Sequence, residues 1–135
     1  MNELTLTPSY LVRRIYHLGR TLSAALEQAG IRYWTSGGTT LGLVRHRGLI
    51  PWDDDLDICL PDDEEQKLLA LGPELRARLG LVLKEAATFG YRVFHQGEES
   101  EPLPGQELVD YRYPFCDVFL MAKSRSGKKY ELAYR

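Results

Sequence analysis

Between residues 8 and 30 the apolar positions Leu11, Ile15, Leu18, Leu22, Ala25/Leu26 and Ala29 recur in alternating steps of four and three. Only a helix gathers such positions onto one stripe. The pattern predicts a core-facing helix with Thr7 as cap, Pro8 in its first turn and Gly30 as its stop. The period then changes. Residues 31–35 are apolar and aromatic and run into Ser36-Gly37-Gly38, which predicts a strand closed by a glycine turn. Residues 39–46 predict a helix that ends near Gly48, with Pro51 as a breaker. Residues 55–60 alternate as a strand does, with Leu56, Ile58 and Leu60 on one face and Asp55, Asp57 and Cys59 on the other.

A polar stretch from Asp62 starts another helix, its first-turn acids complementing the helix dipole. Gly72-Pro73 interrupts it, and a second helical piece reaches Leu79. Residues 89–95 predict a strand and 96–106 a polar loop. Residues 108–113 and 116–121 predict strands on either side of Pro114, 124–127 a turn, and 130–134 a last strand. Helices and short strands are interspersed, with no repeat and no linker. The expectation is one α/β (α+β) domain over residues 1–135.

Composition narrows the function. The chain has 135 residues, 44% hydrophobic and 27% charged, the balance of a globular protein with one core. A net charge of -2 and scattered aromatics argue against a nucleic-acid partner. A phosphate-bearing substrate must then be held by local cations or by a metal. No apolar run approaches the roughly 20 residues of a membrane span, and residues 1–8 lack a secretory pattern. Cys59 and Cys116 are too few for a disulfide framework or a structural zinc site, so a reduced, cytoplasmic setting is expected. Strand alternation sets Cys59 on the face of Asp57 and Cys116 opposite to Asp117, so the two sulfurs face away from each other.

Candidate chemistry is concentrated in residues 36–60. At Gly37 and Gly38 the absence of side chains lets backbone N–H groups approach a phosphate, and the next helix adds its positive end. Ser36, Thr39 and Thr40 offer hydroxyls at the same place, although a double glycine after a strand is often only a turn. Asp55 and Asp57 flank Leu56, so a strand would aim both carboxylates one way, and their repulsion calls for a cation. Mg²⁺ suits them, because it takes hard oxygen ligands and completes its shell with water and phosphate. Asp117 lies in the apolar run Phe115-Cys116-Asp117-Val118-Phe119-Leu120, where an ionised carboxylate needs a partner. That partner is either a metal shared with Asp55 and Asp57 or an arginine. Arg45 and Arg47 have forks that match phosphate oxygens, His46 is a candidate base or phosphate donor, and a solvated helix end is the plainer account of all three. Trp52 reads as a packing residue.

The run from Gly38 to Asp57, GTTLGLVRHRGLIPWDDDLD, resembles the signature of the LicD/fukutin-related family of phosphocholine and phosphopolyol transferases. Cys116-Asp117-Val118-Phe119 is similar to that family's downstream Asp-Ile-Phe element. The resemblance implies a nucleotidyltransferase fold, a short mixed sheet with helices packed on it and a metal site on one face. It also implies that Asp55, Asp57 and Asp117 hold Mg²⁺ and carry catalysis, with Asp53 in support. Ser36, Gly37, Gly38, Thr39, Arg45, His46 and Arg47 would then bind phosphate. The reaction implied moves a phosphocholine-like or phosphopolyol group from a CDP-linked donor to a glycan hydroxyl. A small nucleotidyltransferase attaching NMP to another substrate, and a non-catalytic nucleotide- or glycan-binding module, are the rival readings. Family chains are generally longer, so this chain is a minimal member, a fragment, or a subunit completed by another chain.

Overall fold

In the computed structural model, residues 8–35, 56–102 and 112–133 are described. The long helix α1 spans Ser9–Gln28 and buries Leu11, Ile15, Leu18, Leu22, Ala25 and Leu26, the stripe read from its periodicity. Its C-terminus closes with two backbone bonds, Gly30 N–H to the Glu27 carbonyl at 3.1 Å and Ile31 N–H to the Leu26 carbonyl at 2.9 Å. This Schellman arrangement needs a left-handed residue, and Gly30 supplies it at φ 68°. Ile31 is thereby turned into the core beside Leu26. Ala29 is exposed, contrary to expectation, because the chain has already left the helical stripe at that point. Pro8 occupies the N-cap with no side-chain cap bond, and Thr7 lies outside the described residues.

Strand β1 is only Trp34–Thr35, shorter than the predicted segment. Strand β2, Leu56–Pro61, alternates as predicted and leads through a 3₁₀ turn, Asp62–Glu64, into helix α2, Glu65–Leu79. The turn is tied back to the start of β1. Arg32 Nε donates to the buried Glu64 Oε1 at 2.9 Å, and Arg32 Nη2 reaches Asp63 at 2.7 Å. Helix α2 runs through Pro73 without interruption. Proline in a helix interior costs about 3 kcal/mol, yet Leu68 and Leu75, on either side of it, are both fully buried and hold the helix on the sheet.

Strand β3, Leu81–Ala86, was not predicted; it forms a hairpin with β4, Gly90–His95. At Gly90, with φ 151°, a Cβ would sit 2.3 Å from the Val118 carbonyl oxygen, so this corner requires glycine. The loop 96–106 carries a 3₁₀ turn, Gly97–Glu99, and a two-residue strand β5, Glu101–Pro102, paired with β6, Arg112–Tyr113. Residues 103–111 lie outside the description. Strand β7, Phe115–Lys123, is the central one, and a turn closed by Gly127 N–H to the Ser124 carbonyl leads into β8, Tyr130–Leu132.

The main sheet has the order β1-β2-β7-β4-β3, with β8 on the far end of β7. Strands β2 and β7 are parallel, whereas β1–β2, β3–β4, β4–β7 and β7–β8 are antiparallel. The sheet is therefore mixed. One face carries Ile58, Leu60, Leu81, Tyr91, Val93, Cys116, Val118 and Leu120, packed with Leu18, Leu22, Leu26, Ile31, Leu68 and Leu75 of the helices and their approach. Tyr91 adds a polar tie, its hydroxyl donating to Glu65 Oε2 at 2.7 Å. Burial and the nearby Glu85 raise the Tyr91 pKa above the usual tyrosine value, so it stays a neutral donor. Among the described residues no helix is long and apolar enough to cross a membrane.

Candidate active site

The opposite face of this sheet carries charge. Strand alternation turns Asp57 away from the core residues Ile58 and Leu60, and Asp117 away from Cys116 and Val118. The parallel register pairs Asp57 directly with Asp117. Directly paired residues point to the same side, and neighbouring strands lie about 4.8 Å apart, so the two carboxylates stand next to each other. The next strand continues the row. Asp117 is paired with Arg92 of β4, and Arg92 with Lys84 of β3. Two acids and two bases thus cross four strands in one line: Asp57, Asp117, Arg92, Lys84.

Arg92 is anchored. Its Nε donates to Asp117 Oδ1 at 2.7 Å, while Nη2 lies 3.4 Å from Oδ2. Its guanidinium carbon sits 4.0 Å from the centre of the Phe115 ring, a cation–π contact. The Asp117 side chain is 13% exposed and that of Arg92 20%, so this is a largely desolvated ion pair. Beyond it the same face is aromatic: Phe119 lies 4.8 Å from Phe89, and Trp34 lies 5.0 Å from Tyr130, between ring centroids.

Of the predicted site residues, the structure brings together Asp57 and Asp117. Ser36, Gly37, Gly38, Thr39, Arg45, His46, Arg47, Asp53 and Asp55 lie outside the described residues, as do Thr40 and Trp52. Of the two partners expected for Asp117, a shared metal or an arginine, the arginine is present as Arg92. Arg92 and Lys84 were missed. The signal was available for Arg92, a cation among apolar alternating residues in Gly90-Tyr91-Arg92-Val93-Phe94, the same anomaly that singled out Asp117.

The donor chemistry fits a magnesium ion: two adjacent hard carboxylates, with Asp117 Oδ2 only weakly engaged by Arg92 and so with acceptor capacity left. Among the described residues no group of three or more His, Cys, Asp or Glu side chains has a metal-holding geometry. Asp57 and Asp117 are a pair, and the third predicted ligand, Asp55, is outside the description. Cys59 and Cys116 are both buried, and neither is in a disulfide. Cys116 lies in the helix-side core and Cys59 on the face of Asp57, the register expected from alternation.

Comparison with known proteins adds identity to this geometry. The crystal structure of ANT(2″)-Ia in complex with adenylyl-2″-tobramycin superposes with a TM-score of 0.56 at 19% identity, covering 90% of this chain and 56% of that one. The likeness shows the nucleotidyltransferase fold. In sequence, the Haemophilus influenzae lipopolysaccharide cholinephosphotransferase LicD is 39% identical over 69 residues, 51% of this chain and 25% of its own length. Human ribitol 5-phosphate transferase FKRP is 44% identical over 52 residues, 38% of this chain and 10% of its own. The chain thus spans about a quarter or less of these curated relatives. The domain family described as LicD/FKTN/FKRP, nucleotidyltransferase domain, matches residues 30–127, a stretch that holds the acidic motif and the β2–β7 pair alike. The chain belongs to the LicD/FKTN/FKRP nucleotidyltransferase-domain family.

Proposed function

We propose that this chain carries the donor site of a Mg²⁺-dependent transferase that moves a phosphocholine-like or phosphopolyol group from a CDP-linked donor to a glycan hydroxyl. The observation that carries the reading is the pairing of Asp57 with Asp117 on the sheet face opposite the core packed by α1 and α2. Two adjacent carboxylates repel, and a divalent cation joining them would offset that cost. Support for the group transferred comes from the relatives' names, a cholinephosphotransferase and a ribitol 5-phosphate transferase.

Asp57 and Asp117, with Asp55, would hold the ion, and Asp53 would steady that acidic loop. When bound, the ion supplies neutralisation of the donor diphosphate and of the charge left on the departing nucleotide. Ser36, Thr39 and the backbone at Gly37-Gly38 would seat a phosphate, and Arg45, His46 and Arg47 would contact the transferred group. The acceptor oxygen forms the new O–P bond as the P–O bond to CMP breaks, and the hydroxyl proton passes to a carboxylate of the cluster. Two buried cysteines, Cys59 and Cys116, that form no disulfide suit a reducing cytoplasmic setting.

CMP release from CDP-choline, with and without Mg²⁺ and with ATP in parallel, tests this directly. The expected result is Mg²⁺-dependent CMP release and no use of ATP. Consumption of ATP with attachment of AMP would replace the reading by nucleotide transfer. Mg²⁺-dependent nucleotide binding without turnover would replace it by a binding module.

A further inference from the structure

A half-buried arginine in the middle of a sheet face calls for an explanation. Arg92 pairs with Asp117, which is already its cross-strand neighbour in the β4–β7 ladder. Replacing such a pair by well-packed apolar residues is often neutral or stabilising. Stability alone therefore accounts poorly for it. What the pair does achieve is orientation. Nε fixes one oxygen of Asp117 at 2.7 Å, and the Phe115 ring 4.0 Å away fixes the guanidinium in turn. Oδ2, 3.4 Å from Nη2, is the oxygen left with bonding capacity. Asp57 stands beside it in register.

Resting on the transferase reading above, we infer that Arg92 is a positioning residue: it locks the Asp117 carboxylate so that one oxygen faces the space shared with Asp57. The consequence is specific. Arg92 acts through Asp117 and does not itself grip the donor, so its loss changes turnover and ligand geometry while leaving donor affinity in place. Phe115 is the support on which that lock rests.

The test uses the full chain and two variants, Arg92→Met and Arg92→Lys, each first compared with wild type by circular dichroism and thermal melting. Steady-state CMP release from CDP-choline at saturating Mg²⁺ gives kcat and KM, and the EPR spectrum of bound Mn²⁺, without donor, reports ligand order independently of turnover. Arg92→Met is expected to lower kcat about a hundredfold, the scale of a misplaced reacting geometry. KM for CDP-choline stays within about threefold, as for a group that does not bind the ground state. The Mn²⁺ lines broaden. Arg92→Lys, with one charged donor instead of a fork, recovers about tenfold of the loss.

A raised KM with kcat unchanged would make Arg92 a donor-binding group and overturn the inference. So would wild-type kcat and wild-type Mn²⁺ lines in Arg92→Met or, should that variant not fold, in Arg92→Lys. Wild-type protein that binds no Mn²⁺ and releases no CMP would take down the transferase reading and this inference together, whereas an active wild type with an indifferent Arg92 variant sinks this inference alone.

Discussion

The two faces of one sheet are built on opposite rules. On the helix side, the row Ile58, Val118 and Tyr91 is apolar or aromatic and nearly inaccessible. One residue along, the row Asp57, Asp117, Arg92 and Lys84 is wholly charged. The same backbone ladder produces both, because successive side chains alternate between faces. The inner row lowers free energy by removing apolar surface from water. The outer row has no such return and places two like charges in adjacent strands. In the proposed reading a bound cation uses that arrangement, so the outer row is where substitution should touch function and the inner row where it should touch stability.

This comparison can be broken by substitution. The largest effect is expected for Asp57→Asn, which keeps shape and removes charge. CMP release from CDP-choline should fall about a thousandfold or more, since loss of several kcal/mol of charge stabilisation has that scale, while the melting temperature holds. Near-normal turnover would show that the outer row is not the site. Leu60, fully buried on the inner face, predicts the reverse. Leu60→Ala should cost about 3 kcal/mol in denaturant unfolding, with turnover per folded molecule unchanged. A smaller effect is expected at the edge of the inner layer. Gly30→Ala forces a Cβ into the left-handed region at φ 68° and should cost about 1 kcal/mol, read as a shift in urea midpoint.

The mildest expectation concerns pH, at a site away from both rows. His95 is buried and stacked on His17 at 4.8 Å, and its Nε2 has no hydrogen-bond partner among the described residues. Burial first and then His17 lower its pKa from the usual 6.5, with Glu99 acting the other way. Its neutral form is favoured in the folded state, so its contribution is present above pH 6.5 and lost as pH falls through the lower folded value. Melting temperature should decline on acidification below 6.5, and His95→Gln should flatten that decline.

How far the sequence could be read follows from which interactions are local. Helix α1 was legible because its stripe is a property of spacing alone, and the β2 and β7 alternations were legible for the same reason. Ala29 was misplaced because periodicity does not register the Schellman turn at Gly30. Strand β3 was missed because Lys84-Glu85 breaks an otherwise apolar run, and the outward position of Lys84 is fixed only by the hairpin register that pairs it with Arg92. Pro73 was read as a break because the burial of Leu68 and Leu75 is a tertiary fact. For the site, the acidic residues could be named but not their register. That Asp57 pairs with Asp117, rather than lying a residue out of step, depends on a parallel ladder between segments 60 positions apart.

That register is the central claim, and a double-mutant cycle on turnover measures it most directly. If Asp57 and Asp117 serve one cation, Asp57→Asn and Asp117→Asn should each abolish Mg²⁺-dependent CMP release, and the double variant should be scarcely worse than either. Losses that multiply, as for two independent groups, would contradict a common site.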